Sequence, residues 1–160
     1  MDVLIRRAMH ADAERIARYN AAMARETEHL ELDPERLLRG VEAVLADAAR
    51  GFYLVAEAEG GLVGQMMITY EWSDWRNGVF WWIQSVYVEP SQRRRGIFRR
   101  LYQYALEQAR AAGGVCGLRL YVEGGNEVAR RTYEDLGMNR TVYEMFEVDF
   151  VIRREGGGPP

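Results

Sequence analysis

The sequence predicts a mixed α/β fold in one domain, with antiparallel strands first and a helical crossover to a further strand after them. Three observations carry this. Glu59-Gly60-Gly61 is a glycine hairpin turn between two short apolar runs. The run from Val79 to Val88 is apolar almost throughout, as suits a central strand covered on both faces. Ile97, Leu101, Ala105 and Ala109 then recur every fourth residue, which is one face of a long helix entered through a glycine turn.

Taken in order, residues 3–8 read as a short strand. Asp12 is placed to cap a helix to about residue 28, with Ile16, Tyr19, Asn20 and Met23 on one side. Asp33-Pro34-Glu35 starts a second helix with proline at its first position. Leu37, Leu38, Val41, Val44 and Leu45 make that helix amphipathic. Residues 52–58 and 62–70 are the hairpin strands, and Pro90 ends the central run because it cannot donate to a ladder. The long helix stops at Gly113-Gly114. Leu118, Leu120 and Val122 alternate with Arg119 and Tyr121 as a strand, residues 126–136 form a short helix, and 142–152 return as a last strand. Nothing divides the chain, so the reading is one domain over 1–152 and a disordered tail over 153–160.

Composition sets the class. The chain has 160 residues, 48% hydrophobic and 28% charged, the profile of an ordinary globular protein. A net charge of −3 argues against general nucleic-acid binding. All 21 basic residues are arginine, so no lysine amine can form a Schiff base. Cys116 is the one cysteine, and with His10 and His29 it makes no credible metal set. No apolar signal core or membrane-length run is visible, which places the expected location in the cytoplasm, away from a membrane.

The most informative stretch is Val86-Tyr87-Val88-Glu89-Pro90-Ser91-Gln92-Arg93-Arg94-Arg95-Gly96-Ile97-Phe98-Arg99-Arg100-Leu101. A strand feeding a helix through a glycine turn leaves backbone N–H groups pointing along the helix axis, and the dipole adds positive charge there. Phosphate is the natural guest, and arginine forks suit it. The same arginines also read as a solvated basic turn. Further on, Asn126, Ala129 and Tyr133 stand at offsets of three and seven, one helical face with a small residue between two polar ones. Asn126 doubles as a helix cap, and Tyr133 as a core aromatic.

Arg93-Arg94-Arg95-Gly96-Ile97-Phe98 resembles the Gln/Arg-x-x-Gly-x-Gly/Ala signature of the GNAT superfamily of N-acetyltransferases. Phe98 departs from it, standing where the family has Gly or Ala, so its ring must point away from a phosphate. Asn126-x-x-Ala129-x-x-x-Tyr133, followed by Glu134-Asp135-Leu136-Gly137-Met138, resembles the family's segment after its fifth strand. The order of elements resembles the family's to about residue 150.

The resemblance implies a mostly antiparallel twisted sheet flanked by helices, with parallel fourth and fifth strands that splay apart. It implies acetyl-coenzyme A as cofactor. Arg93, Arg94, Arg95, Gly96, Ile97, Phe98 and Arg99 would hold the pyrophosphate. Val86, Tyr87 and Val88 would hold the pantetheine arm through main-chain groups, and Asn126 and Ala129 would touch the cofactor. Direct attack of a primary amine on the thioester follows, with Tyr133 as the acid for the leaving thiolate. Relatives carry a carboxylate on the fourth strand; here Trp81-Trp82-Ile83-Gln84-Ser85 has none. Glu71 is the nominated base and Glu28 its substitute. Glu26, Glu28, Trp72, Asp74 and Gln84 form the expected acceptor site, acid and ring faces together suiting a small cationic amine; the bland reading is a solvated acidic loop. A peptide amine is the other acceptor class, and a homodimer is common in the family. Two other functions compete: a catalytically weak acyl-CoA-binding sensor or scaffold, and an arginine-turn nucleic-acid binder that the acidic balance disfavours.

Overall fold

The computed structural model describes residues 2–152 and gathers the chain into two compact units, Met1–Tyr121 and Val122–Pro160. The tail expected over 153–160 lies outside the described residues. In the first unit the order is β1 (Leu4–Arg7), α1 (Ala13–Glu28), α2 (Pro34–Ala46), β2 (Phe52–Ala58), β3 (Gly61–Ser73), β4 (Gly78–Val88), α3 (Ile97–Ala111) and β5 (Val115–Arg119). Short 3-10 turns at His10–Asp12 and Pro90–Gln92 precede α1 and α3.

The five strands lie in one sheet in the order β1-β2-β3-β4-β5. Neighbours are antiparallel except β4 and β5, which run parallel across the α3 crossover. This is the mixed α/β sheet the sequence predicts. Tyr53 and Val55 of β2 pack with Ala13, Ile16 and Ala17 of α1 and Val41 of α2. The residues between them along the strand face the other side. There Gly64 of β3, opposite Ala56 and Val88, lies under α3: a Cβ on Gly64 would stand 3.1 Å from Ile97 Cγ2. Ile16, Leu54, Met66, Ile68, Ile97 and Leu101 are fully buried along these two layers.

Several boundaries differ from the sequence reading, each for a local reason. Asp12 ends the 3-10 turn before α1 but makes no side-chain cap bond into the helix; its carboxylate instead accepts from Met9 N at 2.7 Å and from Arg6 at 2.8 and 3.1 Å. Asp33 caps α2 as expected, accepting from Arg36 N at 2.9 Å. The third strand runs on to Ser73, so Glu71 and Trp72 are ladder residues and the turn is Asp74 to Asn77. β5 begins three residues early, at Val115, because Gly114 O accepts from Val79 N at 2.8 Å and starts the ladder there.

In the second unit, α4 (Glu127–Asp135) is capped by Asn126, whose side chain accepts from Ala129 N at 3.1 Å. The strand expected over 142–152 is absent: apolar and polar residues alternate, but no ladder partner is paired to them. Val142, Phe146 and Phe150 are exposed, and the bonds there are local, such as Val151 N to Asp149 Oδ1 at 2.8 Å. Among the described residues no helix is long and apolar enough to cross a membrane.

Candidate active site

β4 and β5 pair from Val79↔Val115 to Trp82↔Arg119 and no further, so Ile83 to Val88 continue without a neighbour on that side. A bulge accompanies the parting. Gln84 faces Met67 and Tyr87 faces Gln65, so Ser85 and Val86 both stand opposite Met66. Ser85 is left-handed, at φ 48°, a conformation that usually needs glycine. Beyond the bulge, Glu89 N donates to Val63 O at 2.9 Å. Gly64 and Val88 are therefore a non-hydrogen-bonded pair, and the N–H and carbonyl of Val88 point away from β3, toward the side β5 has vacated.

The strand then enters the arginine turn. Arg94 at φ 64° and Gly96 at φ 76° are both left-handed, and nothing lies within 4 Å of where a Cβ on Gly96 would be. The first intrahelical bond of α3 runs from Arg100 N to Gly96 O at 3.0 Å, so the amides before it, among them those of Ile97 and Arg99, have no acceptor within the helix. The first turn of α3 carries no acid. Arg99 and Arg100 thus sit at the positive end of the dipole, an unfavourable place for a cation unless an anion joins it. Arg94, Arg99 and Arg100 make no ion pair among the described residues. The Phe98 ring lies along the helix against Tyr102, centroids 6.4 Å apart, which takes it away from the helix axis where amides point.

Arg93 has a different occupation. Its Nε donates to Val88 O at 2.9 Å and its Nη2 to Glu26 Oε2 at 2.7 Å, with the guanidinium 5.4 Å from the Tyr87 ring centroid. Tyr87 donates to Glu26 Oε1 at 3.1 Å and stacks on Tyr19 at 4.9 Å. Burial first, then the Glu26 carboxylate, pushes the Tyr87 hydroxyl above its ordinary value, so it holds its proton. Glu26 is therefore not an open carboxylate; it ties the end of α1 to β4 and to the turn.

Between this cluster and the hairpin tip, one face of β3 and β4 presents Gln84, Trp82, Thr69 and Glu71 in alternating positions. Gln84 Nε2 donates to Thr69 Oγ1 at 2.5 Å, and the Trp82 and Tyr121 rings stand 5.9 Å apart. Glu71 is bound to the Arg119 guanidinium, which lies 3.6 Å over the Phe80 ring with Arg76 at 4.9 Å. Glu71 faces Phe80, about 17 Å along the strand from Ser85. That distance and the ion pair unsuit it to accept a proton at the bulge. Trp72 and Trp75 are exposed at 62% and 84%, and Asp74 turns back to accept from Trp75 N at 2.9 Å. Glu28 lies exposed at the last turn of α1.

Asn126 stands at the N-cap of α4, outside the helix proper, while Ala129 and Tyr133 lie one turn apart within it. Burial pushes the Tyr133 hydroxyl above its ordinary value. The residues that sequence reasoning missed are Arg119, 48 positions from its partner Glu71, and Gln65, which is fully buried behind the bulge. A polar residue inside an apolar strand was the available signal for Gln65; for Arg119 there was none.

The sequence profile of the Acetyltransferase (GNAT) family matches residues 5–138. A crystal structure described as a possible acetyltransferase from Clostridium difficile 630 is 45% identical, with a TM-score of 0.86, covering 94% of this chain and 99% of that one. More distant structures share the fold. Ribosomal-protein-alanine N-acetyltransferase from Brucella melitensis biovar Abortus 2308 is 21% identical, with a TM-score of 0.75 over 94% of this chain and 100% of that one. AAC(6')-Iy, solved in complex with the bisubstrate analog CoA-S-monomethyl-acetylneamine, is 15% identical, with a TM-score of 0.74 over the same shares. No curated protein matches the chain at a significant level.

Proposed function

This chain belongs to the GNAT acetyltransferase family and is an acyltransferase, and from that premise we propose that it moves an acetyl group from acetyl-coenzyme A to a primary amine, which attacks the thioester directly. The observation that carries the reading is the stretch Ile83 to Val88, which leaves β5 and runs straight into the turn at Arg93–Gly96.

The residues fit coenzyme A. Arg94, Arg95, Gly96 and the amides that open α3 would hold its pyrophosphate, offsetting the cations at the helix start. The main chain at Val86–Val88 would hold the pantetheine arm, with Arg93 giving up Val88 O when the arm pairs there. Asn126 keeps its oxygen for the cap, so its amide nitrogen is the group left for a ligand. When bound, coenzyme A supplies the activated acetyl thioester. A strand amide at Val86 would donate to the carbonyl oxygen as it gains charge. Tyr133 would hold its proton at the departing sulfur, and Gln84 would orient the amine.

No carboxylate on β4 takes the amine's proton, and Glu71 is withdrawn from that role by its place and by Arg119. The amine loses its proton to solvent before attack. Glu71, Trp72 and Asp74 then serve the acceptor, a cationic tail resting on acid and ring faces at the hairpin tip. The test is thiol release from acetyl-coenzyme A across a panel of small amines, polyamines and peptides. Release with at least one primary amine is expected; cofactor binding with no release from any of them would make the chain a sensor or scaffold instead.

A further inference from the structure

Behind the bulge lies a set of polar side chains that the reaction as described does not use. Gln65 is 0% exposed and Asn20 6%, in a layer otherwise built from Ile16, Ala17, Tyr53 and Val55. Gln65 Nε2 donates to Asn20 Oδ1 at 2.7 Å and to the Ser85 carbonyl at 3.2 Å. Asn20 Nδ2 donates to the Tyr53 hydroxyl at 3.3 Å, and the Ser85 side chain reaches the same hydroxyl. One acceptor is left over: Gln65 Oε1 is the buried side-chain atom without a partner among the described residues.

As a stabilising device this is a poor one. A buried acceptor without a donor keeps its full desolvation penalty, and replacing a whole polar set by apolar groups of the same shape is often neutral or better. Gln65 stands opposite Val55 across the sheet, in the layer that also holds Tyr53 and Met67, so an apolar residue would sit comfortably there. The left-handed Ser85 adds backbone strain. The side chain that carries the unpaired acceptor also holds the carbonyl of the left-handed residue, and the amide that follows that carbonyl belongs to Val86. Gln65 is what ties that carbonyl to α1.

We propose that Gln65, backed by Asn20, is a positioning residue: it clamps the Ser85 bulge and so aims the Val86 amide at the carbonyl of the bound thioester. This rests on the acetyl transfer proposed above and adds to it a residue that touches neither substrate. Without the clamp, Ser85 relaxes toward negative φ, the amide turns, and the rate falls while the pyrophosphate site at Gly96 is untouched.

The experiment compares Gln65→Leu and Asn20→Leu with the unaltered protein, reading kcat, acetyl-coenzyme A affinity by calorimetry, and the amide resonances of Ser85 and Val86. For Gln65→Leu, kcat should fall about tenfold, a modest share of the effect of a 1 Å misplacement. Cofactor affinity should stay nearly unchanged and both resonances should move. Adding Ser85→Gly should restore part of the rate, since glycine takes the positive φ without a clamp. A folded Gln65→Leu with full kcat, or one whose loss is matched by lost cofactor affinity, overturns the assignment; should it not fold, the same outcomes are read from Asn20→Leu. If the unaltered protein releases no thiol with any amine, the reaction fails on its own account. The resonances then decide the clamp: moved, it stands; unmoved, it falls.

Discussion

In the proposed reaction Tyr133 and the acceptor amine set the pH dependence between them. A primary alkylamine has a pKa near about 10, and with no carboxylate to take its proton the reactive free base grows as pH rises. Burial raises the Tyr133 hydroxyl above its ordinary value, so the acid keeps its proton over that range. The expected profile of kcat/KM therefore rises steadily from pH 7 to about 9, with no plateau near the carboxylate range. Tyr133→Phe should lower kcat by about 10²-fold with acetyl-coenzyme A affinity retained. A plateau below pH 7 would restore a carboxylate base, and an unchanged rate in Tyr133→Phe would remove the tyrosine from the chemistry. Single residues were legible in the sequence where their partners are near in the chain. Asp33 and Asn126 cap their helices three residues on, as their positions suggest. The ion pair of Glu71 was not legible because its partner Arg119 belongs to another strand, and the local sequence shows only an acid beside two tryptophans.

At the scale of elements, the Arg6–Asp12 pair holds the entry to α1 against the sheet edge. Arg6 on β1 reaches Asp12 with two bonds and Glu57 on β2 with a third, at 2.9 Å, while Asp12 also takes Met9 N. Arg6 foremost, then the Met9 amide against the cost of burial, keeps the Asp12 carboxyl below the usual carboxylate range. A group with a lowered folded pKa lends stability above its unfolded value, near about 4, and loses it as pH falls through the folded one. Asp12→Ala should cost about 2 kcal/mol and roughly 5 °C in Tm at pH 7. The gap between variant and parent should begin to narrow below about pH 4 and close only as pH falls through the lower folded value, where Asp12 takes up its proton. A gap of constant size down to pH 2, measured by thermal unfolding, would show that packing rather than charge is lost. Element types came through from the sequence because apolar period and turn residues are local. Register did not: the start of β5 is set by Gly114 meeting Val79 across the sheet, and the run 142–152 has a strand's alternation without a ladder.

For the whole molecule, the strand–turn–helix passage from β4 to α3 was the most legible feature, since its proline, glycine and arginines are consecutive. The parting of β4 and β5 was legible only through the family resemblance; hidden altogether were the serine bulge beside it and the buried side chains, 20 and 45 positions apart, that meet there. The central claim is that an acyl-coenzyme A lies along Val86–Val88 with its pyrophosphate at the start of α3. Titrating the protein with acetyl-coenzyme A while following backbone amide resonances tests it most directly, with Gly96→Asp as the paired variant. Saturable shifts at Val86, Val88, Ile97 and Arg99, lost or much weakened in Gly96→Asp, are the predicted result. No binding by the unaltered protein, or saturable shifts elsewhere that Gly96→Asp leaves intact, would contradict it.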